Sequence, residues 1–324
     1  MNLGPLVVDF DGFELSSEDT EVLNHPLVGG VILFAKNYES KSQLKLLVDQ
    51  IKKINKDREV LITVDHEGGR VQRFLNGFSK LPSQGLIGNT IDDEKINAKS
   101  MNSALVNAFF LGRTIGSELS GVGVDLSFTP VLDINYGRSE IIGDRAFSNN
   151  PENVCSLAMS LILGLKGEGL SNCAKHFPGH GWVVEDTHTH EALDKRTYEE
   201  ILNLDVLPYK ILIQKCNLLS SVMASHVIYS RCDPNPASLS EFWLKKTLRG
   251  ELNFQGIIFC DDLSMHSVKN NSEILDLVDQ AFVAGCDSLI VCNDRSSVMR
   301  ILDNYDLKSV PKKLRSLQLL KRKC

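Results

Sequence analysis

The sequence has no long apolar run and no export signal. No stretch approaches the roughly eighteen uncharged apolar residues that a membrane-spanning helix needs. The first residues, MNLGPLVVDFDG, lack the basic start and the apolar core of a secretory signal. We therefore expect a cytoplasmic protein without a membrane partner.

Positive charge is also scarce. The chain carries 35 Lys and Arg against 41 Asp and Glu, which gives a net charge of -6. Because nucleic-acid binding depends on clustered Lys and Arg side chains, we expect no nucleic-acid partner. The only cluster of basic residues lies in residues 308–323, which we interpret as a final amphipathic helix with its leucines inward and its lysines in water. A contact with an anionic surface is the alternative.

Closely spaced cysteines are missing as well. The eight cysteines lie far apart, no CxxC pair occurs, and several fall within apolar runs. They are therefore predicted to be buried, reduced thiols.

What is present is the composition of a globular protein, with 43% hydrophobic and 23% charged residues. Short apolar runs recur along the whole chain and predict eight strands, at residues 6–8, 30–34, 60–64, 124–128, 172–175, 218–224, 256–260 and 288–292. Apolar residues at three- and four-residue spacing predict helices after most of them, for example at residues 42–54, 154–165, 241–252 and 274–284.

Apolar strands that alternate with amphipathic helices predict a parallel sheet covered on its outer face. Eight such units predict a closed barrel, so the expected fold is a single α/β domain over residues 1–324, a (β/α)8 TIM barrel. An open, doubly wound sheet is the alternative. That fold calls for a glycine-rich phosphate loop after the first strand, where this chain has DFDGFELS.

Polar residues follow the predicted strands one after another. Catalytic residues of such barrels lie at the carboxyl ends of the strands, so we expect the active site there. The candidates, in chain order, are Asp65, Asp133 with the GDRAF segment that holds Arg145, Lys175 with His176, His226, Asp261 with Asp262, and Asn293.

Two adjacent aspartates follow the seventh predicted strand, GIIFC. Asp261 comes directly after the strand, so the strand should hold its carboxylate rigidly at the barrel mouth. A carboxylate after a strand is also typical of a helix N-cap. We assign chemistry to Asp261 and the N-cap of the next helix to Asp262, which lies one residue further on.

The connection after the fifth predicted strand is long and reads PGHGWVVEDTHTH over residues 178–190. Long loops in compact domains are usually functional or mobile, and Gly179 and Gly181 would give this one freedom to move. Asp186 and His188, two residues apart, could form a hydrogen bond that fixes the imidazole tautomer and raises its basicity. This pair indicates acid/base chemistry; a polar surface loop with accidental histidines is the alternative.

The same region holds four histidines, at 176, 180, 188 and 190, which raises the question of a metal site. Pro178 and Gly179 interrupt the spacing between the first two, so they do not share a helical face. The HxH usual after the first strand of metal-dependent barrel hydrolases is replaced by DFDG. We expect neither a metal nor a cofactor.

Several motifs together resemble one known family. KHFPGHG followed by D-T-H at 186–188, with VDHEGGRVQRF, GDRAF, MASHVIY and FCDDLSM, is similar to the single-domain bacterial β-N-acetylglucosaminidases of glycoside hydrolase family 3. The resemblance extends from VGGVILFAKNY to GCDSLIVCNDR, which is nearly the whole chain.

The resemblance implies a retaining hydrolase that removes terminal β-linked N-acetylglucosamine. Asp261 would be the nucleophile, and His188, held by Asp186, would be the acid/base group in place of the usual glutamate. The residues that would bind sugar hydroxyls are Asp65, Arg73, Arg145, Lys175 and His176.

The implied substrates are peptidoglycan fragments, chiefly those that end in 1,6-anhydro-N-acetylmuramic acid, in cell-wall recycling, with a monomer as the expected state. A phosphorylase or a β-glucosidase on the same scaffold, or a sugar-binding barrel without catalysis, are the alternatives. Three residues depart from the family pattern: His66 stands where a glutamine is expected, Trp182 where a smaller residue is usual, and Ser225 where many relatives have another small residue.

Overall fold

A computed structural model describes residues 3–55, 58–91, 98–185, 192–269 and 273–321. Eight parallel strands form a closed barrel in which strands adjacent in sequence pair and the first pairs with the eighth. In chain order the barrel strands are Leu6–Val8, Val28–Leu33, Leu61–Val64, Leu126–Ser127, Ser171–Phe177, Ser221–Ala224, Ile257–Cys260 and Ser288–Val291. The predicted (β/α)8 barrel is confirmed, and all eight predicted strands are present.

Helices surround the barrel and include the four that the periodicity predicted. The α-helices are Ser17–Asn24, Lys41–Lys53, Gln84–Gly88, Ala98–Gly121, Pro151–Gly167, Tyr198–Asn203, Leu207–Gln214, His266–Lys269, Ile274–Ala284 and Arg295–Asn304, and Phe242–Glu251 has π-type hydrogen bonds. Within the described part of the chain, no helix is long and apolar enough to cross a membrane.

Short elements connect the barrel units. Two small strand pairs lie outside the barrel: His66–Gly68 with Val71–Gln72, and Leu193–Asp194 with Ile228–Tyr229. Single 3-10 turns occupy Ala35–Asn37, Gly143–Arg145, Ala237–Leu239, Leu307–Ser309 and Leu317–Leu320. The first strand pair and the turn at Gly143–Arg145 hold residues that form the site described below.

The strands are apolar on both faces because each face meets a separate hydrophobic core. In the first strand, Val7 points into the barrel interior with Ile32, Leu61, Phe128, Phe259 and Ile290, whereas Leu6 and Val8 pack outward against the helices. This two-sided burial explains why continuous apolar runs, and not alternating ones, mark these strands.

The C-terminal segment is not the amphipathic helix that we predicted. Over residues 308–321 it forms only 3-10 turns, and Pro311 is incompatible with a helix interior because it has no amide proton. Leu317 and Leu320 join the core inside the barrel, and Ser171 at the start of the fifth strand donates to the Leu320 carbonyl at 2.8 Å. The segment therefore closes the barrel at the end opposite the candidate site.

Candidate active site

A cavity of about 430 Å³ lies at the carboxyl ends of the strands, within the range for small-molecule sites. Its polar lining comes from Asp65, Arg70, Arg73, Arg145, Lys175, His176, Asp261, Asp262 and Asn293, and its apolar lining includes Phe34, Met223 and Met265. A second cavity, of about 480 Å³ beside Asn135 and Tyr136, has no carboxylate, imidazole or cation in its lining. The groups suited to acid–base or nucleophilic chemistry therefore converge at the barrel mouth.

Lys175 is a buried cation at the end of the fifth strand. Its Nζ lies 2.6 Å from Asp65 Oδ1 and 2.7 Å from Glu67 Oε1, and its side chain is only 3% exposed. Burial alone would lower the pKa of Lys175, but the charges of Asp65 and Glu67 outweigh burial and raise it. Lys175 therefore remains charged and holds two carboxylates in place.

Glu67 is the buried counterpart that organises these cations, and the sequence interpretation missed it. Arg145 binds it with two contacts, Nε to Oε2 at 3.0 Å and Nη2 to Oε1 at 2.8 Å. Burial would raise the pKa of Glu67, but the charges of Arg145 and Lys175 hold it well below its usual range. The signal was available, because Asp65 and Glu67 are two residues apart in an extended segment, which places both side chains on one side.

His176 is oriented by Asp133, which the sequence placed at the barrel mouth without assigning it a role. The Asp133 Oδ2 atom lies 2.7 Å from His176 Nδ1, and Oδ1 accepts the His180 backbone N–H at 2.7 Å. The Asp133 carboxylate is the acceptor, so Nδ1 carries the proton and Nε2 faces Arg145 Nη2 at 3.4 Å. Burial would raise the pKa of Asp133, but the adjacent His176 lowers it.

Arg73 lies next to Asp65, on the third-strand side of the cavity. Its Nη2 lies 3.7 Å from Asp65 Oδ2, and its guanidinium lies 5.6 Å from the centre of the Phe34 ring. All five residues that the sequence predicted as sugar ligands thus line one cavity: Asp65, Arg73, Arg145, Lys175 and His176.

Asp261 follows the seventh strand directly and lines the same cavity. Its backbone N–H donates to the Ala224 carbonyl at 3.2 Å, and its Oδ1 accepts the Asp262 N–H at 2.9 Å. The strand ladder therefore fixes the backbone, and the neighbouring amide fixes the rotation of the carboxylate. The predicted position of Asp261 at the barrel mouth agrees with the structure.

Comparison with known proteins identifies the family. The sequence matches the model of the glycosyl hydrolase family 3 N-terminal domain over residues 4–322. It is 44% identical over 304 residues to a β-hexosaminidase of Psychromonas ingrahamii, and the alignment covers 94% of this chain and 87% of the relative. The chain belongs to glycosyl hydrolase family 3.

Other family 3 relatives agree. A β-hexosaminidase of Pasteurella multocida is 40% identical over 326 residues, covering 99% of this chain and 90% of the relative. The crystal structure of NagZ from Neisseria gonorrhoeae in complex with N-trifluoroacetyl-D-glucosamine superposes with a TM-score of 0.90 at 37% identity, covering 100% of this chain and 91% of that chain. The family 3 protein described here is a glycosidase of the β-hexosaminidase class.

Two residues of the family 3 motif lie outside the described residues. Asp186 and His188 fall in residues 186–191, as does His190, so their predicted arrangement remains a prediction. His180, in the same motif, is buried with its ring centre 5.9 Å from that of His176, and burial lowers its pKa to about 4. Among the residues that the structure describes, no cluster of three or more His, Cys, Asp or Glu is arranged to hold a metal ion.

Gly179 and Gly181 have a different role from the freedom of movement that we predicted. A Cβ atom on Gly181 would lie 1.9 Å from the Ile134 carbonyl oxygen, and one on Gly179 would lie 2.6 Å from Asp205. Neither glycine has a positive φ. Both positions require glycine because the backbone passes too close to its neighbours for a side chain. This close packing fixes this part of the connection.

Asp262 does not form the helix N-cap that we predicted. Its carboxylate accepts the Ser264 N–H at 2.9 Å and the Cys292 N–H at 3.1 Å, while the next helix begins only at His266. Burial raises the pKa of Asp262, and the hydrogen bond from Ser264 opposes that shift. The residue thus ties the ends of the seventh and eighth strands together.

The remaining two candidates support the site from its edge. His226 is buried, with Nδ1 at 2.6 Å from Ser238 Oγ and Nε2 at 2.9 Å from the Asp262 carbonyl oxygen. Asn293 lines the cavity, and Lys36 donates to its Oδ1 at 3.0 Å. His226 therefore supports the seventh-strand end, whereas Asn293 contributes to the rim.

Proposed function

We propose that this β-hexosaminidase removes terminal β-linked N-acetylglucosamine from peptidoglycan fragments, among them those ending in 1,6-anhydro-N-acetylmuramic acid, in cytoplasmic cell-wall recycling. It acts as a monomer, with residues 1–324 as one catalytic domain. The observation that carries this proposal is the position of Asp261 in one cavity with the five polar groups Asp65, Arg73, Arg145, Lys175 and His176.

The size of the cavity supports a single sugar unit. A volume of about 430 Å³ lies in the lower part of the range for small-molecule sites. The chain would therefore bind one terminal residue and leave the rest of the saccharide outside, which is the behaviour of an exo-acting enzyme. The Neisseria gonorrhoeae relative, crystallised with N-trifluoroacetyl-D-glucosamine, supports an N-acylated glucosamine as that residue.

The charges in the cavity support a neutral ligand. Lys175 faces Asp65 and Glu67, Arg145 faces Glu67, and Arg73 faces Asp65. These three cations share two carboxylates, and the carboxylate of Asp261 lines the same cavity, so the cavity offers little excess charge to an anion. Ion pairs with exposed edges instead suit sugar hydroxyls, because a hydroxyl both donates and accepts hydrogen bonds.

The mechanism we propose is a double displacement. Asp261 attacks the anomeric carbon while His188 donates a proton to the departing oxygen, and a covalent glycosyl-enzyme forms through an oxocarbenium-like transition state. The neutral His188 then takes a proton from water, which attacks the same carbon and releases a sugar with retained β configuration. Asp186 orients the imidazole and stabilises its protonated form.

The amide of Asp262 contributes to the first step. Because its N–H donates to Asp261 Oδ1 at 2.9 Å, the carboxylate has little rotational freedom. A nucleophile held in one orientation loses less entropy on reaching the transition state.

The decisive experiment traps the glycosyl-enzyme. The protein is incubated with a 2- or 5-fluoro derivative of N-acetylglucosamine that carries a good leaving group, digested, and analysed by peptide mass spectrometry. The expected label is on Asp261; a label on another residue, or the absence of a labelled peptide under inactivating conditions, would refute the nucleophile assignment.

Substrate and acceptor are tested separately. We expect release of N-acetylglucosamine from N-acetylglucosaminyl-1,6-anhydro-N-acetylmuramic acid and little turnover of nitrophenyl glucoside, and the reverse preference would favour a β-glucosidase. Phosphate in the assay should neither accelerate the reaction nor yield a sugar phosphate. A sugar phosphate would show that the chain is a phosphorylase.

A further inference from the structure

Trp182 makes an unusual set of contacts just before the segment that holds Asp186 and His188. Its ring lies 5.1 Å from the Tyr136 ring at an angle of 84°. The guanidinium of Arg138 lies 4.3 Å from its ring centre and that of Arg196 lies 4.6 Å away. Three side chains therefore enclose one half-buried indole, and two of them are cations.

Arg196 is held in place independently of Trp182. Its Nε and Nη2 bind the Asp194 carboxylate, with Nη2 at 2.7 Å from Oδ2, and its Nη1 lies 2.7 Å from Asp205 Oδ2 and 3.1 Å from the Tyr136 hydroxyl. Because these hydrogen bonds lie in the guanidinium plane, the face of the group stays available for stacking. Arg196 thus offers Trp182 a fixed, desolvated cation.

The contact between Trp182 and Arg196 joins the two ends of one connection. On the side before residues 186–191, Asp133 accepts the His180 N–H at 2.7 Å, and Val183 is buried. On the side after them, Ile228 donates to the Ala192 carbonyl at 2.9 Å. The chain between these fixed points is short, and by sequence it contains Asp186 and His188.

We propose that Trp182, enclosed by Arg138 and Arg196, is a positioning residue for the acid/base group His188 in the hydrolysis reaction. This inference rests on the role proposed above for His188. Trp182 does not touch the reacting atoms. It sets the direction in which the chain leaves the fixed part of the connection.

Loop entropy does not account for such a role. Releasing Trp182 would lengthen the chain between the fixed points on either side by only about two residues, and closure entropy grows with the logarithm of length, so the change is only a few tenths of a kcal/mol. Orientation is the larger effect, because a displacement of about 1 Å at a catalytic group can lower the rate about 100-fold. A defect in acid/base positioning is therefore expected to change rates far more than stability.

The test uses aryl N-acetylglucosaminides whose leaving groups differ in basicity. A 2,4-dinitrophenolate leaves without a proton, whereas a phenolate or a second sugar needs the acid. For Trp182→Ala we expect kcat/KM to fall ~10- to 100-fold for the phenyl substrate and less than about 3-fold for the dinitrophenyl substrate. Breakdown of the glycosyl-enzyme by water still needs the base, so kcat for the dinitrophenyl substrate should fall. Added azide should restore that kcat, because an anion needs no base to attack the glycosyl-enzyme.

Two further variants provide matched comparisons. Trp182→Phe keeps an aromatic face between the two cations and should retain most of the phenyl-substrate activity. Arg138→Ala removes an exposed side chain and should show the same leaving-group dependence as Trp182→Ala. The fall in kcat/KM for the phenyl substrate should be smaller, about 3-fold. An equal loss on both substrates in Trp182→Ala, or no loss on either, would overturn the proposal.

His188→Ala separates this inference from the proposed function. If His188→Ala shows the leaving-group dependence and azide rescue but Trp182→Ala shows neither, the positioning role of Trp182 is wrong and the acid/base assignment stands. If His188→Ala itself loses equal activity on both substrates, the acid/base assignment is wrong.

Discussion

Lys175 Nζ lies 2.6 Å from Asp65 Oδ1, which joins the end of the fifth strand to the end of the third across the barrel mouth. The fourth strand lies between them in the barrel, so the ion pair bridges over it. Together with Glu67 and Arg145 it forms a buried group of alternating charges next to the cavity. Removal of one member leaves another buried charge without compensation, which should destabilise the fold.

Glu67→Gln should impair both stability and substrate binding. The substitution keeps the shape of the side chain but leaves Lys175 and Arg145 with less negative charge in a buried position. Breaking a buried ion pair on one side typically costs about 3–5 kcal/mol, and we expect the free energy of unfolding to fall by about that amount. Urea denaturation measures the loss, and KM for an N-acetylglucosaminide should rise.

A matched control is Glu241→Gln, the same change in an exposed pair with Lys245. Pairs of that kind contribute at most about 1 kcal/mol. Equal destabilisation by the two variants would contradict the assigned role of the buried group.

Asp261→Asn should abolish turnover and preserve the fold. The amide has the shape of the carboxylate but cannot attack the anomeric carbon, and loss of a nucleophile typically lowers kcat by ~10⁴-fold or more. Steady-state kinetics measures the loss, and thermal unfolding confirms that the protein remains folded. Asp276→Asn, at an exposed position in the helix Ile274–Ala284, should leave kcat unchanged. Activity of Asp261→Asn within tenfold of the wild type would exclude this residue as the nucleophile.

His66 should make the fold sensitive to acid. It is buried beside Phe74 and Phe78, and burial, with the nearby charge of Arg73, lowers its pKa from 6.5 to about 4. The folded state therefore resists a proton that the unfolded state accepts. The stability linked to His66 is present above about pH 6.5 and is lost as the pH falls towards 4, by up to about 3 kcal/mol.

His66→Phe should remove this dependence. The ring would keep its aromatic neighbours without a titrating group, so the unfolding free energy of the variant should change less than that of the wild type between pH 7 and pH 4.5. His266→Gln, at an exposed position, serves as the control and should follow the wild type. Parallel curves for His66→Phe and the wild type would show that His66 does not control acid stability.

Asp205 should have the opposite effect on the pH dependence of stability, so that its contribution falls as the pH rises. Burial raises its pKa to about 6, and the nearby Arg196 only partly offsets that rise. The folded state therefore holds a proton that the unfolded state has already released, so the contribution is full below about pH 4 and is lost as the pH rises through 6. The unfolding free energy of the wild type relative to Asp205→Asn should fall by up to about 3 kcal/mol between pH 4 and pH 7, and a difference independent of pH would refute this.

The fold was largely predictable because local signals coincide in it. Each strand lies between two hydrophobic cores, so continuous apolar runs such as Ile257–Cys260 stand out in the sequence. The five sugar-binding candidates came instead from the family resemblance, since Arg73 and Arg145 do not follow a barrel strand directly. The segment 308–321 was not predictable in this way, because its spacing of leucines suits a helix face and a barrel plug equally well.

Long-range partners were less predictable than the groups they hold. Asp133 pairs with His176 across 43 positions of the chain, and Glu67 pairs with Arg145 across 78. Nothing local in the sequence connects such residues. The tight packing of Gly179 against Asp205 is also invisible before folding, so a glycine that permits close approach resembled one that permits motion.

The pairing of the first strand with the eighth has a consequence for biosynthesis. Leu6 lies opposite Leu289, and Leu317 and Leu320 pack into the barrel interior, so residues far apart in the chain complete one structure. A chain without the eighth strand cannot close the sheet, and a chain without residues 317–320 lacks two of the apolar side chains that fill the barrel interior. The spacing of the carboxylates and cations at the mouth therefore depends on the eighth strand, which is synthesised long after the first.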